Sequence, residues 1–201
     1  LYGRRMLAEL LRRLCRIDGI AWIRLHYAYP AAFPDEVIEV MAAEPKICKY
    51  LDIPFQHISD AQLAAMHRRH TKAEAMELIR RLRTAIPDLA LRTTLLVGYP
   101  GETEADFEEL LEFVHEVRFE RLGVFAYSEE EGTAAAEFED QIDEEVRAHR
   151  ADILMEQQAE VSAAKNAAKI GKRMTAVALE QILARGERLK QIEAADRAAG
   201  A

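Results

Sequence analysis

The sequence predicts an α/β fold in which parallel β-strands alternate with α-helices. Two observations lead to this prediction: the hydrophobic periodicity switches repeatedly between helical spacing and short apolar runs, and helix-capping signals stand between those runs. A third is composition, since half of the 201 residues are hydrophobic and 31% are charged, as is typical of a globular protein. This composition excludes collagen-like, disulfide-scaffold and mostly disordered chains.

The first four predicted elements are helix, strand, helix and strand. Residues 2–16 carry leucines at helical spacing, and the Asp18-Gly19 turn ends that helix. Residues 21–27, AWIRLHY, are predicted to form a strand, and residues 35–43 a short helix after a loop bracketed by prolines. Residues 47–53, ICKYLDI, form the second predicted strand, which ends at a proline.

The middle of the chain is predicted to contain two helices and a buried strand. Ser59 with Gln62 and Thr71 with Glu74 both fit the capping-box pattern, in which the fourth residue closes the first turn. The strand, ALRTTLLVG, is short and rich in branched residues, which is typical of a buried strand. These elements span residues 60–67, 72–85 and 90–98.

The last predicted elements are a helix, a strand and a long helix. Thr103 with Asp106 gives a third capping box, before a helix over residues 104–117. RLGVFAY, residues 121–127, is the fourth strand, and residues 143–168 form a long helix with one apolar side. Two further elements are predicted in the tail, a strand at 174–179 and a polar helix or frayed end at 180–199.

Four strands that alternate with helices form a parallel sheet, because a parallel return requires a crossover, and each crossover is expected to be right-handed. Four such strands are half of an eight-stranded barrel or most of a small open sheet. A long bare edge is unfavourable for a parallel sheet, and the chain lacks an initiator Met. We therefore expect a fragment whose preceding strands lie N-terminal to Leu1.

Charge and cysteine content narrow the function classes. There are 27 Lys and Arg residues against 35 Asp and Glu, and the net charge of -8 argues against broad nucleic-acid binding by this segment. No signal peptide and no run of about 18 apolar residues occur, so we predict a cytoplasmic protein without a membrane span. Two cysteines, Cys15 and Cys48, are too few for a disulfide framework, a four-Cys zinc site or a three-thiolate iron–sulfur site.

Chemistry is expected at the carboxyl ends of the strands, where barrels and open α/β sheets place their sites. Five of the six tyrosines lie in these strands or just after them, which indicates either a lined cleft or the ordinary rim of a barrel. The four segments at these ends are HYAYP (26–30), PFQHIS (54–59), GYPGET (98–103) and YSEEEGT (127–133).

Two polar features of the third strand and its turn leave alternatives open. Arg92 and Thr94 share one face by their period-2 spacing, and an inward Arg needs an anion, either a ligand carboxylate or a buried Asp or Glu. The Pro-Gly-Glu-Thr turn opens a helix, whose free N–H groups either hold a carboxylate or phosphate or are capped by Thr103.

The histidines and one acidic segment also leave alternatives open. His26 and His57, at strand ends, are each a base, a donor to a cofactor or a structural hydrogen-bonding residue. His67 and His70 have helical i, i+3 spacing, and we favour an exposed polar face over a metal site. Residues 129–145 hold nine acidic side chains and no Lys or Arg, so they form either a docking surface for a basic protein or a solvated loop and acidic helix start.

The family resemblance of this chain is carried by four segments, RLHYAYP (24–30), KYLDIPFQHISD (49–60), RTTLLVGYPGETEADFEEL (92–110) and FAYSEEEGTAAA (125–136). In this order they resemble the RimO-like methylthiotransferases, which are radical S-adenosylmethionine (SAM) enzymes. These enzymes methylthiolate the β-carbon of an aspartate in the twelfth protein of the small ribosomal subunit. The resemblance runs from Leu1 to about Met174.

The resemblance implies a partial TIM-type barrel, the radical SAM barrel. Residues 1–170 would be its C-terminal part, and residues 171–201 would start a truncated or divergent TRAM-like region or form a helical tail. It also implies SAM and two [4Fe–4S] clusters as cofactors. Their cysteines are expected upstream, because neither Cys15 nor Cys48 lies in a CxxxCxxC motif.

The implied chemistry begins when a reduced cluster donates an electron to SAM. The radical that forms abstracts hydrogen from the substrate carbon, and a methylthio group is delivered via the second cluster. The expected partner is a basic small-subunit ribosomal protein. By position at the strand ends, we expect cofactor binding by Gln56, Arg92, Thr94, Gly98, Pro100, Gly101 and Glu102, a substrate cleft lined by His26, Tyr29, His57 and Tyr127, and no metal ligand in this chain.

Other functions compete with this interpretation. The tRNA adenosine methylthiotransferases share the VG-x-PGET turn. Where this chain has QHIS (56–59) they usually have a sequence closer to QSGS, and where it has EEGT (130–133) they usually have a Pro-Gly-Thr stretch. Both differences favour the ribosomal-protein branch. A second alternative is a cluster-less module that binds a basic protein through residues 129–145. A third, a lyase or aldolase, lacks support because Lys49 lies at the wrong end of its strand for a Schiff base.

Overall fold

The structure is a computed structural model that describes residues 3–171. All ten elements predicted in this range are present, and a short 3-10 helix, Ala134–Glu137, is added. The elements are α1 (Leu7–Cys15), β1 (Ile23–Leu25), α2 (Asp35–Ala43), β2 (Ile47–Asp52), α3 (Asp60–Ala65), α4 (Lys72–Ala85), β3 (Ala90–Val97), α5 (Glu104–Val117), β4 (Arg121–Ala126) and α6 (Glu144–Ala167).

The chain divides into two compact units, Leu1–Lys165 and Asn166–Ala201. The structure describes the second unit only as far as residue 171: α6 ends at Ala167, and a turn over residues 168–171 follows. The strand predicted at 174–179 and the helix predicted at 180–199 lie outside the described residues. Within residues 3–171, no helix has both the length and the apolar character needed to cross a bilayer.

The four strands form one parallel sheet in the order β1-β2-β3-β4, which confirms the predicted fold class. Each strand pairs with its neighbour in sequence, and helices intervene between successive strands. The sheet is a partial, unclosed barrel. All four carboxyl ends therefore meet at one edge, where the sequence predicts the site.

The two faces of β3 differ because its side chains alternate between them. Leu91, Thr93, Leu95 and Val97 are fully buried, whereas the residues between them are only half-buried. The buried face packs in a core with the surrounding helices. That core includes an aromatic group of Phe55, Phe113 and Phe119, whose ring centroids are 5.4–6.2 Å apart; Phe113 meets both other rings edge to face.

Two of the three predicted capping boxes form completely, at Thr71–Glu74 and Thr103–Asp106. The third is only half right. Ser59 Oγ accepts the backbone N–H of Gln62, but the Ser59 N–H donates to His57 instead of to the Gln62 side chain. A histidine two residues upstream therefore competes successfully for the donor that the capping box would use.

The prediction that His67 and His70 share an exposed helix face is wrong for His70, whereas His67 is exposed as predicted. Helix α3 ends at Ala65, and His67 adopts a left-handed φ of 54°, so the two histidines do not share a helix. His70 is instead buried, with its ring against Phe55 at a centroid distance of 6.1 Å. The early helix end turns this segment inward and makes His70 part of the interior.

Candidate active site at the carboxyl ends of the strands

Gln56 extends the sheet beyond the end of β2. Its N–H donates to Thr94 O (2.9 Å), and its carbonyl accepts from Leu96 N (2.7 Å), which forms an isolated parallel bridge to β3. Gln56 does this with a left-handed φ of 70°, a conformation uncommon for a residue with a side chain. The structure thus brings Gln56 and Thr94 together, two of the residues predicted at the site.

The Arg92 guanidinium pairs with a carboxylate of the protein itself, that of Asp52. Its Nη1 lies 2.9 Å and 2.8 Å from the two carboxylate oxygens of Asp52, which is buried at the end of β2. The sheet register pairs Asp52 directly with Arg92. The His26 ring lies near the same carboxylate, with its Nδ1 3.9 Å from Asp52 Oδ2. Of the two anions considered for Arg92, the structure therefore supplies the protein carboxylate.

The turn after β3 is closed by its own hydrogen bonds. Gly98 N donates to Glu102 Oε2 (2.8 Å), and Gly101 N donates to Asp140 O (2.9 Å). Both glycines have left-handed φ, 70° and 78°, which explains why glycine occupies these positions. Thr103 caps α5, and its hydroxyl accepts the Asp106 N–H while its own N–H donates to the Asp106 carboxylate. Ordinary capping, rather than an open anion site, therefore accounts for this helix start.

His57 and Glu102 lie in the protein interior. Their side chains have no exposed area, and His57 Nε2 is 3.0 Å from Glu102 Oε1. Glu102 also pairs with Arg150 of α6, at 2.6 Å. His57 therefore does not line an open cleft, and Glu102 offers no free carboxylate to a cofactor, because the protein already occupies its two oxygens. The only sequence feature that points to Arg150 is its position on the buried side of α6, and it was not predicted as a site residue.

Aromatic side chains stand at both ends of this edge. Beside β4, the rings of Tyr99 and Tyr127 are 5.4 Å apart, and burial raises the pKa of Tyr99. The Tyr127 hydroxyl is buried and has no hydrogen-bond partner among residues 3–171. Beside β1, Tyr29 OH accepts the N–H of Arg69, and the Arg68 guanidinium lies 4.8 Å from the Tyr29 ring centroid.

The part of the chain that the structure describes contains no group of three His, Cys, Asp or Glu side chains placed to hold a metal ion. Both cysteines are free thiols. Cys15 is buried in α1, where desolvation raises its pKa, and Cys48 lies in β2. The described residues therefore supply no ligand set for an iron–sulfur cluster.

The chain is similar to a large set of curated proteins. It is 56% identical to a ribosomal protein uS12 methylthiotransferase RimO from Porphyromonas gingivalis over 178 residues, which are 88% of this chain and 41% of that protein. It is 53% identical to the protein of the same name from Flavobacterium johnsoniae over 171 residues, 85% of this chain and 39% of that protein. The chain thus spans about two fifths of the length of these relatives, and the predicted RimO-like resemblance is confirmed.

Solved structures show the same fold at lower identity. Coproporphyrinogen III oxidase (HemN) from Escherichia coli, a radical SAM enzyme, superposes with a TM-score of 0.58 and 22% identity, over 78% of this chain and 36% of that one. The radical SAM methyltransferase TsrM from Kitasatospora setae gives 0.50 and 20%, over 59% and 24%. The Radical SAM superfamily model itself matches residues 3–114, more than half of the sequence, so the chain belongs to the radical SAM superfamily.

Proposed function

We propose that this chain is the C-terminal part of the radical SAM barrel of a cytoplasmic enzyme that methylthiolates the β-carbon of an aspartate in ribosomal protein uS12. The observation that carries the proposal is the 56% identity to a uS12 methylthiotransferase over 88% of the chain. That protein's name supports a ribosomal-protein substrate over an adenosine in tRNA. The proposal assigns residues 1–170 to the C-terminal part of the barrel domain and residues 171–201 to the start of a truncated or divergent TRAM-like region or to a helical tail.

SAM is the cofactor that this superfamily implies, and Arg92, which lies in β3 beside the end of β2, fits it. Arg92 uses Nη1 for both bonds to Asp52, so Nε and Nη2 remain for a ligand carboxylate, of which SAM has one. The buried Tyr127 hydroxyl, unpartnered among the described residues, is assigned to the substrate cleft rather than to SAM. Thr94 shares the half-buried face of Arg92.

In this proposal the chain binds and orients SAM and keeps water from it. When bound and reduced by an iron–sulfur cluster, SAM supplies the radical that removes hydrogen from the target carbon. Two clusters are part of the proposal, with their ligands outside this chain. SAM is surrounded by Gln56, Arg92, Thr94 and the turn residues Gly98, Pro100 and Gly101. Glu102 holds that turn through its bond to the Gly98 N–H. The protein substrate faces His26, Tyr29 and Tyr127.

The first experiment is Arg92→Ala in a full-length protein that contains this chain. The loss of a charged hydrogen bond should weaken SAM binding by about tenfold or more in calorimetry. Arg92→Lys is the control, because it keeps the charge but not the planar fork, and should give an intermediate affinity. Arg92→Ala also leaves the buried Asp52 carboxylate without its partner, which lowers stability. The double variant Asp52→Asn/Arg92→Ala removes that unpaired charge, so it separates a loss of SAM binding from a loss of stability. Unchanged SAM affinity would remove Arg92 from the site.

A second candidate function is docking of a basic protein by residues 129–145. All nine acidic side chains in this segment are exposed, and none makes an ion pair with a cation of residues 3–171. Unpaired exposed charges of one sign act over roughly a Debye length, about 10 Å at 0.1 M salt, and speed association with an opposite charge. Such a surface would serve uS12 recognition or a non-catalytic module equally.

Charge reversal tests the docking surface. Glu129→Lys, Glu130→Lys and Glu131→Lys together should slow association with purified uS12 by about tenfold at low salt and much less at high salt. The control is Glu36→Lys, Glu39→Lys and Glu77→Lys, which changes the net charge equally on helices α2 and α4. Association rates that respond to neither salt nor the reversal of residues 129–131 would contradict docking by this segment.

A further inference from the structure

A buried polar cluster joins three segments at the carboxyl-terminal edge of the sheet. It consists of His57 and Ser59 in the loop after β2, Glu102 in the turn after β3, and Arg150 on α6. His57 Nε2 lies 3.0 Å from Glu102 Oε1, while Glu102 Oε2 accepts from Gly98 N (2.8 Å) and Arg150 Nη1 (2.6 Å). Because both carboxylate oxygens have partners and the charge of Glu102 is matched by Arg150, the cluster is a satisfied structural unit.

The protonation state of His57 follows from its partners. The backbone N–H of Ser59 lies 3.0 Å from His57 Nδ1. A backbone N–H can only donate, so Nδ1 must be the nitrogen without a proton. The proton is therefore on Nε2, which donates to Glu102. His57 is a neutral imidazole held in a single tautomer, assigned from hydrogen-bond geometry.

The cluster also ties down two segments with a left-handed backbone, of which only the one at Gln56 is strained. Gln56, directly before His57, has a left-handed φ of 70° and yet makes two ladder bonds with β3. Gly98 has the same φ, and its N–H points to Glu102. A left-handed residue with a side chain persists only where its surroundings hold it. The bond between His57 and Glu102 joins these two segments through buried side chains, in addition to the backbone bonds of Gln56 to β3 and the Ser59–Asp106 bond.

We propose that His57 is a positioning residue for the cofactor edge. Its Nε2–H···Glu102 bond sets the Gln56 loop and the Gly98 turn at a fixed separation, so that both face the same ligand. The ligand, SAM, rests on the proposed function, but the geometry of the cluster does not. His57 itself touches no ligand, since its side chain has no exposed area.

The first measurement is NMR on the chain with ¹⁵N-labelled histidine. Two histidine rings are buried, His57 and His70, and the His57 signal is identified by its loss in His57→Gln. We expect this ring to have a protonated Nε2 and an unprotonated Nδ1, with a slowly exchanging N–H. Conversion of Glu102 to Gln should shift that signal and the Gly98 amide signal together. A proton on Nδ1, or a Gly98 amide that does not respond to His57 variants, would overturn the proposal without reference to any ligand.

Three variants of the full-length protein separate the two bonds of His57. His57→Gln keeps a donor at the Nε2 position, His57→Asn keeps an acceptor at the Nδ1 position, and His57→Phe keeps only the ring. Loss of the donor to a buried carboxylate should weaken SAM binding about tenfold in His57→Asn and His57→Phe. His57→Gln should stay within about threefold of the wild type, and this rescue is something that a merely space-filling histidine would not show.

Val161→Ala is the matched control, since it truncates a buried side chain of α6 outside the cluster and should lower stability without changing SAM affinity. Equal affinity of folded His57→Phe and the wild type would overturn the proposal, as would His57→Gln binding as weakly as His57→Phe. A wild-type protein that binds no SAM contradicts the proposed function instead, and the NMR measurement then decides the positioning role alone.

Discussion

His70 is a buried imidazole that makes no hydrogen bond within residues 3–171. Both ring nitrogens lack a partner, and the ring lies between Tyr29 and Phe55 at centroid distances of 6.4 and 6.1 Å. Burial lowers its pKa, and the charge of Arg68 lowers it further, while the charges of Glu74 and Asp60 raise it by less. Burial therefore favours the neutral form of His70, whose ring makes edge-to-face contacts with Tyr29 and Phe55.

This burial predicts a pH-dependent stability. Below its ordinary pKa of 6.5, His70 binds a proton more readily in the unfolded chain than in the folded one. The stability is thus fully present above about pH 6.5 and falls as the pH drops toward the lower folded pKa, by at most about 1.4 kcal/mol per pH unit. Urea unfolding between about pH 7.5 and pH 5 measures this slope.

His70→Phe should remove the contribution of His70 to that slope and cost little stability at pH 7.5, since no hydrogen bond to the ring is lost. His149 is exposed on α6, so His149→Phe is the control and should keep the wild-type slope. A His70→Phe protein whose stability still falls as steeply with acid would show that another group causes the effect.

At the scale of single residues, the sequence predicts which face of a strand a side chain lies on better than it predicts which residue that side chain contacts. The period-2 pattern places Arg92 and Thr94 correctly on one face of β3. The partner of Arg92 stays open in the sequence because Asp52 is 40 residues away, and only the register of β2 with β3 brings them together. His57 and Glu102 show the same limit, since strand-end position alone does not distinguish a side chain in the cleft from one buried beneath it.

At the scale of elements, α6 packs over the turn after β3. Gly98 has a left-handed φ, and a Cβ added there would overlap the side-chain carbons of Arg147. The Arg147 guanidinium continues across the end of β4 and donates to Tyr127 O (2.8 Å). Helix α6 therefore reaches the site edge through Arg147 and Arg150, one turn apart.

Gly98→Ala tests this packing. The left-handed conformation and the overlap with Arg147 should together lower the free energy of unfolding by about 3 kcal/mol. Gly132→Ala is a matched control, because Gly132 has a similar φ of 81° and no atom within 4 Å of an added Cβ, so it should cost only about 1 kcal/mol. Adding Arg147→Ala to Gly98→Ala should recover part of the difference. Equal unfolding midpoints for the two alanine variants would contradict the close packing of α6 on this turn.

Element ends follow the sequence where a local signal marks them. The capping boxes at Thr71 and Thr103 fix the starts of α4 and α5 to the predicted residue. The end of α3 carries no such signal: His67 takes a left-handed conformation there, and Arg68 bonds to Pro54 O in a different loop. Such a tertiary contact overrides local helix propensity, so a single sequence does not reveal it.

At the scale of the whole molecule, the fold class follows from element order alone. Strands that alternate with helices leave little choice but a parallel sheet, and the observed order β1-β2-β3-β4 is the simplest one that such a chain forms. The site follows from that order, because the carboxyl ends meet at one edge. The sheet does not supply the ligands of an iron–sulfur cluster. The chain has two cysteines, Cys15 on α1 and Cys48 on β2.

The small number of cysteines predicts the outcome of cluster reconstitution. A [4Fe–4S] cluster is held by cysteine thiolates, generally four, and two cysteines on different elements do not meet that need. Anaerobic treatment of the 201-residue chain with iron and sulfide should therefore leave far less than one cluster per chain, measured by bound iron and by the charge-transfer absorbance of the cluster. The variant Cys15→Ser/Cys48→Ser is the control and should retain the same small amount of iron, since neither thiol acts as a cluster ligand. Stable binding of about four irons per chain that is lost in this variant would mean that the two thiols do hold a cluster, with other ligands completing it.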